Sequence, residues 1–173
     1  MPATSQRKFQ KNSIQGQTSG KTSDRGAGGH PFLRVLIIED NAERIACFRA
    51  WKPGDVHFVL ATSPGPALGI IRRDRGLIYA GVMLDHDLVE QSICASEIEF
   101  SGTQVTTSII ENFSYEIPIL IHSMNDAKAS AMAKRLISAD FSVTRVPMAV
   151  LSEQRLHEWL NEVRENWRYL NGL

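Results

Sequence analysis

From Leu33 to Val146 the chain alternates short apolar runs with helix-period stretches, and this alternation constrains the fold more than any other feature. Leu33-Arg34-Val35-Leu36-Ile37-Ile38 is almost continuously apolar, as expected of a strand covered on both faces. Glu39-Asp40-Asn41 then caps a helical pattern through Ile45, Phe48 and Trp51. Val56–Ala61 reads as a second strand, followed by a Pro/Gly turn and a short helix through Leu68, Ile70, Ile71 and Arg72. Tyr79–Leu84 is a third strand that ends at Asp85. His86 to Ser101 has no clear period and reads as a long loop of the kind that often carries function. Gly102–Phe113 follows as a helix with Val105, Ile109 and Ile110 inward.

Ile117–Ile121 is the fourth strand, with Pro118 near its start, where a missing donor is tolerated. A helix through Met132, Leu136 and Ile137 leads to a fifth strand, Phe141–Val146. The last helix puts Leu156, Trp159, Leu160, Val163, Trp167 and Leu170 on one stripe. Strands alternating with helices imply right-handed crossovers and a parallel sheet with helices on both faces. The expected architecture is α/β, a three-layer, doubly wound (βα)5 sandwich of the flavodoxin-like type with strand order 2-1-3-4-5.

Charge separates the amino terminus from the rest. Up to Gly29 there are five basic residues (Arg7, Lys8, Lys11, Lys21, Arg25) and one acid, Asp24. The remainder holds fourteen basic and eighteen acidic side chains, by subtraction from nineteen of each. Residues 1–30 are polar, with few large apolar groups, and are expected to be a disordered basic tail; 31–173 form one domain. A mildly acidic domain does not bind nucleic acid by charge alone. Cys47 and Cys94 are too few for a disulfide framework and are expected to be buried or semi-buried thiols. Neither a membrane-spanning run nor a secretory signal is recognisable, so a cytoplasmic location is expected.

In the order 2-1-3-4-5 the first, third and fourth strands are neighbours, and such sheets bind ligands at their carboxyl ends. Those ends deliver Glu39 and Asp40, then Asp85-His86-Asp87, then His122-Ser123-Met124-Asn125. Crowded carboxylates raise one another's pKa unless a cation relieves them. The acids therefore either hold a divalent metal such as Mg²⁺ or include a protonated acid catalyst, and the histidines titrate near neutral pH. Asp40 and Asn125 have structural readings as helix caps, and Ser123 as a turn residue. His57 reads as structural, and His30 and His157 as solvated.

These residues resemble the receiver domains of response regulators, which carry an acidic pair after the first strand, a phosphorylated Asp ending the third and Ser/Thr ending the fourth. Glu39-Asp40, Asp85 and Ser123 match. The Lys that ends the fifth strand in receivers is replaced by Val146, with Arg145 or Lys128 as substitutes. A closer resemblance is to the cyclic-phosphate processing receiver domain, through Leu84-Asp85-His86-Asp87-Leu88, Gly102, His122-Ser123-Met124-Asn125 and Met132. Asp126 and Lys128 depart from the Pro and Gly common there, and the loop from Val89 to Ser101 is longer.

The closer resemblance implies a phosphoesterase that processes 2′,3′-cyclic phosphate ends of RNA or nucleotides, in company with RNA-repair enzymes. A metal on Glu39, Asp40 and Asp85 would activate water. His86 and His122 would serve as base and acid, and Asp85 and Asp87 belong to the same catalytic set. Ser123, Asn125 and Lys128 would contact the phosphate. The alternatives are phosphate transfer to Asp85, as in signalling receivers, and a receiver-like interaction module without catalysis.

Overall fold

The computed structural model describes residues 33–75, 78–86, 88 and 101–173. Five strands form one parallel sheet: β1 (Leu33–Ile38), β2 (Val56–Ala61), β3 (Gly81–Leu84), β4 (Ile119–Ile121) and β5 (Val143–Arg145). They lie in the order β2-β1-β3-β4-β5, as the alternation predicts. The helices are α1 (Ala42–Trp51), α2 (Pro64–Arg73), α3 (Ser101–Asn112), α4 (Asp126–Ile137) and α5 (Glu153–Asn171). The basic tail, Cys94 and most of the long loop lie outside the described residues. No described helix is long and apolar enough to cross a membrane.

The pleat of the central strands divides the interior into two cores. Leu36 and Ile38 of β1, Val82 and Leu84 of β3, and Ile119 and Ile121 of β4 pack against α2, α3 and α4. Val35 and Ile37, Met83 and Leu120 point the other way, onto Phe48 of α1 and Leu156, Trp159, Leu160 and Val163 of α5. Every one of these side chains is buried, which explains why the central strands read as unbroken apolar runs.

Strands three to five are shorter than their apolar runs. Tyr79 and Ala80 precede β3, and Ile117 and Pro118 precede β4, yet Tyr79, Ala80 and Ile117 are buried. Burial therefore extends beyond the ladder, and hydrophobicity alone overestimates strand length. Other readings need correction. The helix through Met132, Leu136 and Ile137 ends at Ile137, which is exposed one position beyond buried Leu136. Cys47 is exposed on α1 rather than buried. His157 is not solvated: it is half-buried, with its Nε2 2.7 Å from the Trp51 carbonyl. His57 is exposed on the edge strand β2.

Candidate functional site: an acidic crevice with its own arginine

The register places the polar residues. Ile38 pairs with Leu84 and Leu84 with Ile121, so Glu39, Asp85 and His122 form the next row across three adjacent strands. Backbone hydrogen bonds extend the ladder through that row: Asp85 N–H donates to Ile38 O at 2.9 Å and His122 N–H to Leu84 O at 3.1 Å. With a side-chain period of two, this row shares the pleat face of Ile37, Met83 and Leu120 and points beneath α1. All three are buried: Glu39 and His122 are 0% exposed and Asp85 is 1%.

Helix α1 starts where it does because Asn41, not Asp40, caps it, its Oδ1 accepting from the Arg44 N–H at 3.0 Å. This cap sets Arg44 in the first turn, over the carboxyl ends of β1 and β3. Its Nη1 donates to Asp85 Oδ2 at 2.9 Å and to Glu39 Oε2 at 3.4 Å. Glu39 is held from every side. Its Oε1 accepts from the Asn41 N–H at 2.9 Å, and its Oε2 lies 3.1 Å from His122 Nε2. Burial pushes the Glu39 carboxyl up, but the hydrogen bonds from His122 and Asn41 and the charge of Arg44 outweigh it and hold the group below its ordinary value. Arg44 is correspondingly held above its ordinary value: burial pulls it down, and Glu39 and Asp85 more than compensate.

Phe48 meets the His122 ring edge-on, with centroids 5.1 Å apart, and among the described residues His122 Nδ1 has no hydrogen-bond partner. The ring is thus a buried prop for Glu39. Asp85 Oδ1 accepts from the His86 N–H at 2.7 Å. Ser123 is buried, and its Oγ accepts from the Asn125 N–H at 3.1 Å. Asn125 caps α4 through the Lys128 N–H at 3.1 Å, which accounts for its Oδ1 structurally.

Of the acids expected to hold a metal, Glu39, Asp40 and Asp85 each offer an oxygen, and these oxygens lie within 4.8 Å of one another. Hard carboxylate donors at that spacing fit an ion such as Mg²⁺, which takes one or two carboxylates and keeps much of its water. Asp87 lies outside the described residues. His86 is half-buried and faces a different quarter. It lines a cavity of about 110 Å³ with Gly102, Thr103 and Thr106 of α3 and Lys128, Met132 and Arg135 of α4. A Cβ at Gly102 would stand 3.1 Å from the His86 carbonyl oxygen, so the missing side chain lets α3 approach this close.

Two features escape sequence reasoning. Arg44 is the cation at Asp85, whereas Arg145 is engaged with Asp126 and Lys128 is exposed in the first turn of α4. Arg135 adds a second cation to the cavity beside His86. The spacing Asn41-x-x-Arg44 was the available signal for the first, since a cap at Asn41 fixes residue 44 over the strand ends.

A five-stranded sheet of this order, with acids at the ends of β1 and β3, defines a receiver-like α/β domain. Solved receiver structures share the fold. A CheY-like response regulator receiver domain from Methanospirillum hungatei superposes with a TM-score of 0.59 at 13% identity, covering 80% of this chain and 98% of that one. The receiver domain of a putative LuxO repressor protein from Vibrio parahaemolyticus gives 0.55 at 16% identity, over 78% and 92%. The amino-terminal domain of a response regulator/sensory box/GGDEF protein from Carboxydothermus hydrogenoformans gives 0.56 at 16%, over 79% and 97%. No family model and no curated protein sequence matches the chain.

Proposed function

We propose that the crevice handles a phosphoryl group in the manner of a metal-assisted phosphoesterase, and that its substrate is a 2′,3′-cyclic phosphate at an RNA end or on a nucleotide. The observation that carries this reading is a separation of charge. The acids gather under α1, while His86, Lys128 and Arg135 line a cavity to which, among the described residues, no acid contributes, with His86 following Asp85 directly in the chain. A cyclic phosphodiester needs both halves: oxygen ligands for a cation, and positive groups for the phosphate oxygens.

Glu39, Asp40 and Asp85 would hold the ion, which when bound polarises a phosphoryl oxygen and lowers the pKa of water. His86 takes the proton of the attacking water as its oxygen bonds to phosphorus. The P–O bond to one ribose oxygen breaks, that oxygen takes the proton back from His86, and a phosphomonoester remains. Lys128 and Arg135 receive phosphate oxygens, and Asn125 and Ser123 fix the start of α4 that presents them. His122, with no exposed surface, acts through Glu39 as a positioning residue.

A second reading, phosphate accepted on Asp85 as in signalling receivers, is favoured by the fold and by the place of Asp85 at the end of the central strand β3. The test is hydrolysis of a nucleoside 2′,3′-cyclic phosphate with Mg²⁺, Mn²⁺ or chelator, beside incubation with acetyl phosphate. Metal-dependent turnover lost in His86→Ala and Asp85→Ala, with folding intact, supports the esterase. An acid-labile adduct on Asp85 without turnover refutes it in favour of the receiver reading. A folded protein that does neither is an interaction module.

A further inference from the structure

Three carboxylates with oxygens within 4.8 Å of one another repel strongly when ionised. The protein relieves that repulsion internally. Arg44 sets one nitrogen, Nη1, on Oε2 of Glu39 and Oδ2 of Asp85, and these two carboxylates belong to the acidic trio. A carboxylate oxygen engaged by a guanidinium N–H at 2.9 Å cannot at the same time give that lone pair to a divalent ion.

We propose that Arg44 is a resident counter-cation that competes with a divalent ion for Glu39 and Asp85, so that the ion binds as the guanidinium swings out. This rests on the metal reading of the crevice. The two sides of the competition are built differently. Glu39 stays in place without Arg44, because the Asn41 N–H and His122 hold it, and Asp85 keeps the His86 N–H on its other oxygen. Arg44 has no comparable restraint. Its side chain is 21% exposed, and among the described residues its Nε and Nη2 make no hydrogen bond. The carboxylates are therefore preorganised and the arginine is the part able to move. Loss of one cation and gain of a dication also change what the crevice offers a phosphate: a partly neutralised pair of carboxylates becomes a site that holds a dication.

The test is Mn²⁺ binding by the full chain and its Arg44→Met and Arg44→Lys variants, read by electron paramagnetic resonance of free Mn²⁺. Arg44→Met is expected to bind roughly tenfold more tightly than the natural chain, with Arg44→Lys between them. Thermal stability of Arg44→Met should also rise more on adding Mn²⁺. Equal or weaker affinity in Arg44→Met overturns the competition and leaves the metal reading intact. No binding by any of the three overturns both. A measurement on the natural chain covers the case of a poorly folded variant: Mg²⁺ titration followed at the Arg44 Nε–H resonance. A shift that saturates with Mg²⁺ binding is expected, and Mg²⁺ binding that leaves this resonance unmoved overturns the proposal.

Discussion

Glu39→Gln isolates the centre of the crevice with almost no change of shape. Two electrostatic consequences oppose each other. Removing the charge relieves repulsion from Asp40 and Asp85, about 3–4 kcal/mol per ionised neighbour at 4.8 Å and an effective dielectric constant near 20. It also forfeits attraction to Arg44, about 5 kcal/mol at 3.4 Å on the same basis. On this count the repulsion from two neighbours, about 7 kcal/mol, exceeds the lost attraction by about 2 kcal/mol. The Glu39 carboxyl is nevertheless held below its ordinary value, so the hydrogen bonds outweigh that difference. The carboxylate accepts three hydrogen bonds on two oxygens, from Asn41, His122 and Arg44. A glutamine has one oxygen. If it faces Asn41, its amide N–H₂ meets the Arg44 guanidinium; if it faces Arg44, the amide meets the Asn41 N–H, and either arrangement sets donor against donor.

His122 adapts to the first arrangement by moving its proton to Nδ1, which among the described residues meets no partner in a buried ring. We expect a net cost of about 2–3 kcal/mol from the lost charge-assisted bonds, and a fall in Tm of roughly 6–12 °C. Urea denaturation followed by tryptophan fluorescence measures the first and calorimetry the second. The pH dependence carries its own sign. Because the folded carboxyl is held below its ordinary value, its stabilisation is complete above about pH 4.5 and fades as pH falls through the lower folded value. The gap between the natural chain and Glu39→Gln should therefore close on acidification. A variant as stable as the natural chain at pH 7, or more stable, would mean that carboxylate repulsion dominates and that the partners of Glu39 do not hold it ionised.

Other parts of the fold give independent expectations. A Cβ at Gly81 would stand 3.0–3.2 Å from Trp159 and Val163, so Gly81→Ala should overpack the core between β3 and α5 and cost about 1–3 kcal/mol in urea denaturation. Burial and the Asp74 carboxylate, 3.0 Å away, push the Tyr79 phenol up to about 12. Stability should then fall above pH 10, where the unfolded phenol ionises first, and Tyr79→Phe should cost about 1 kcal/mol near neutrality while removing the late step from an ultraviolet titration. Gly102→Ala should leave stability within about 1 kcal/mol, since alanine's helix propensity offsets the crowding. Its added carbon lies 3.1 Å from the His86 carbonyl oxygen and 3.7 Å from the ring Nε2, so the His86 imidazole resonances should shift and KM for a cyclic phosphate should rise.

Sequence order and apolar patterning were enough to bring β1, β3 and β4 side by side, because right-handed crossovers leave few ways to stack such units. They therefore brought Glu39, Asp85 and His122 to one end of the sheet, but not to one face of it. Which pleat face a strand-end residue takes depends on register, and register is fixed by which alternate residues find α1 and α5 rather than α2, α3 and α4. In strands buried on both faces, the alternation that would reveal this is missing from the sequence. That one missing bit separates His122, sealed under Phe48, from His86, turned to the cavity between α3 and α4, although both read alike as histidines at strand ends.

Arg44 was hidden for a related reason. A charged residue in an amphipathic first turn is normally solvent-facing, and here the turn sits over buried acids only because Asn41 ends the non-helical chain immediately beyond β1. The same geometry answers what the fifth strand leaves open. Val146 brings no cation to the crevice, so the positive charge on Asp85 comes from the helix after β1 instead of from the strand farthest along the sheet. A cation carried on α1 beside the acidic pair lies on one oxygen of each of Glu39 and Asp85, so an ion that binds there competes with it.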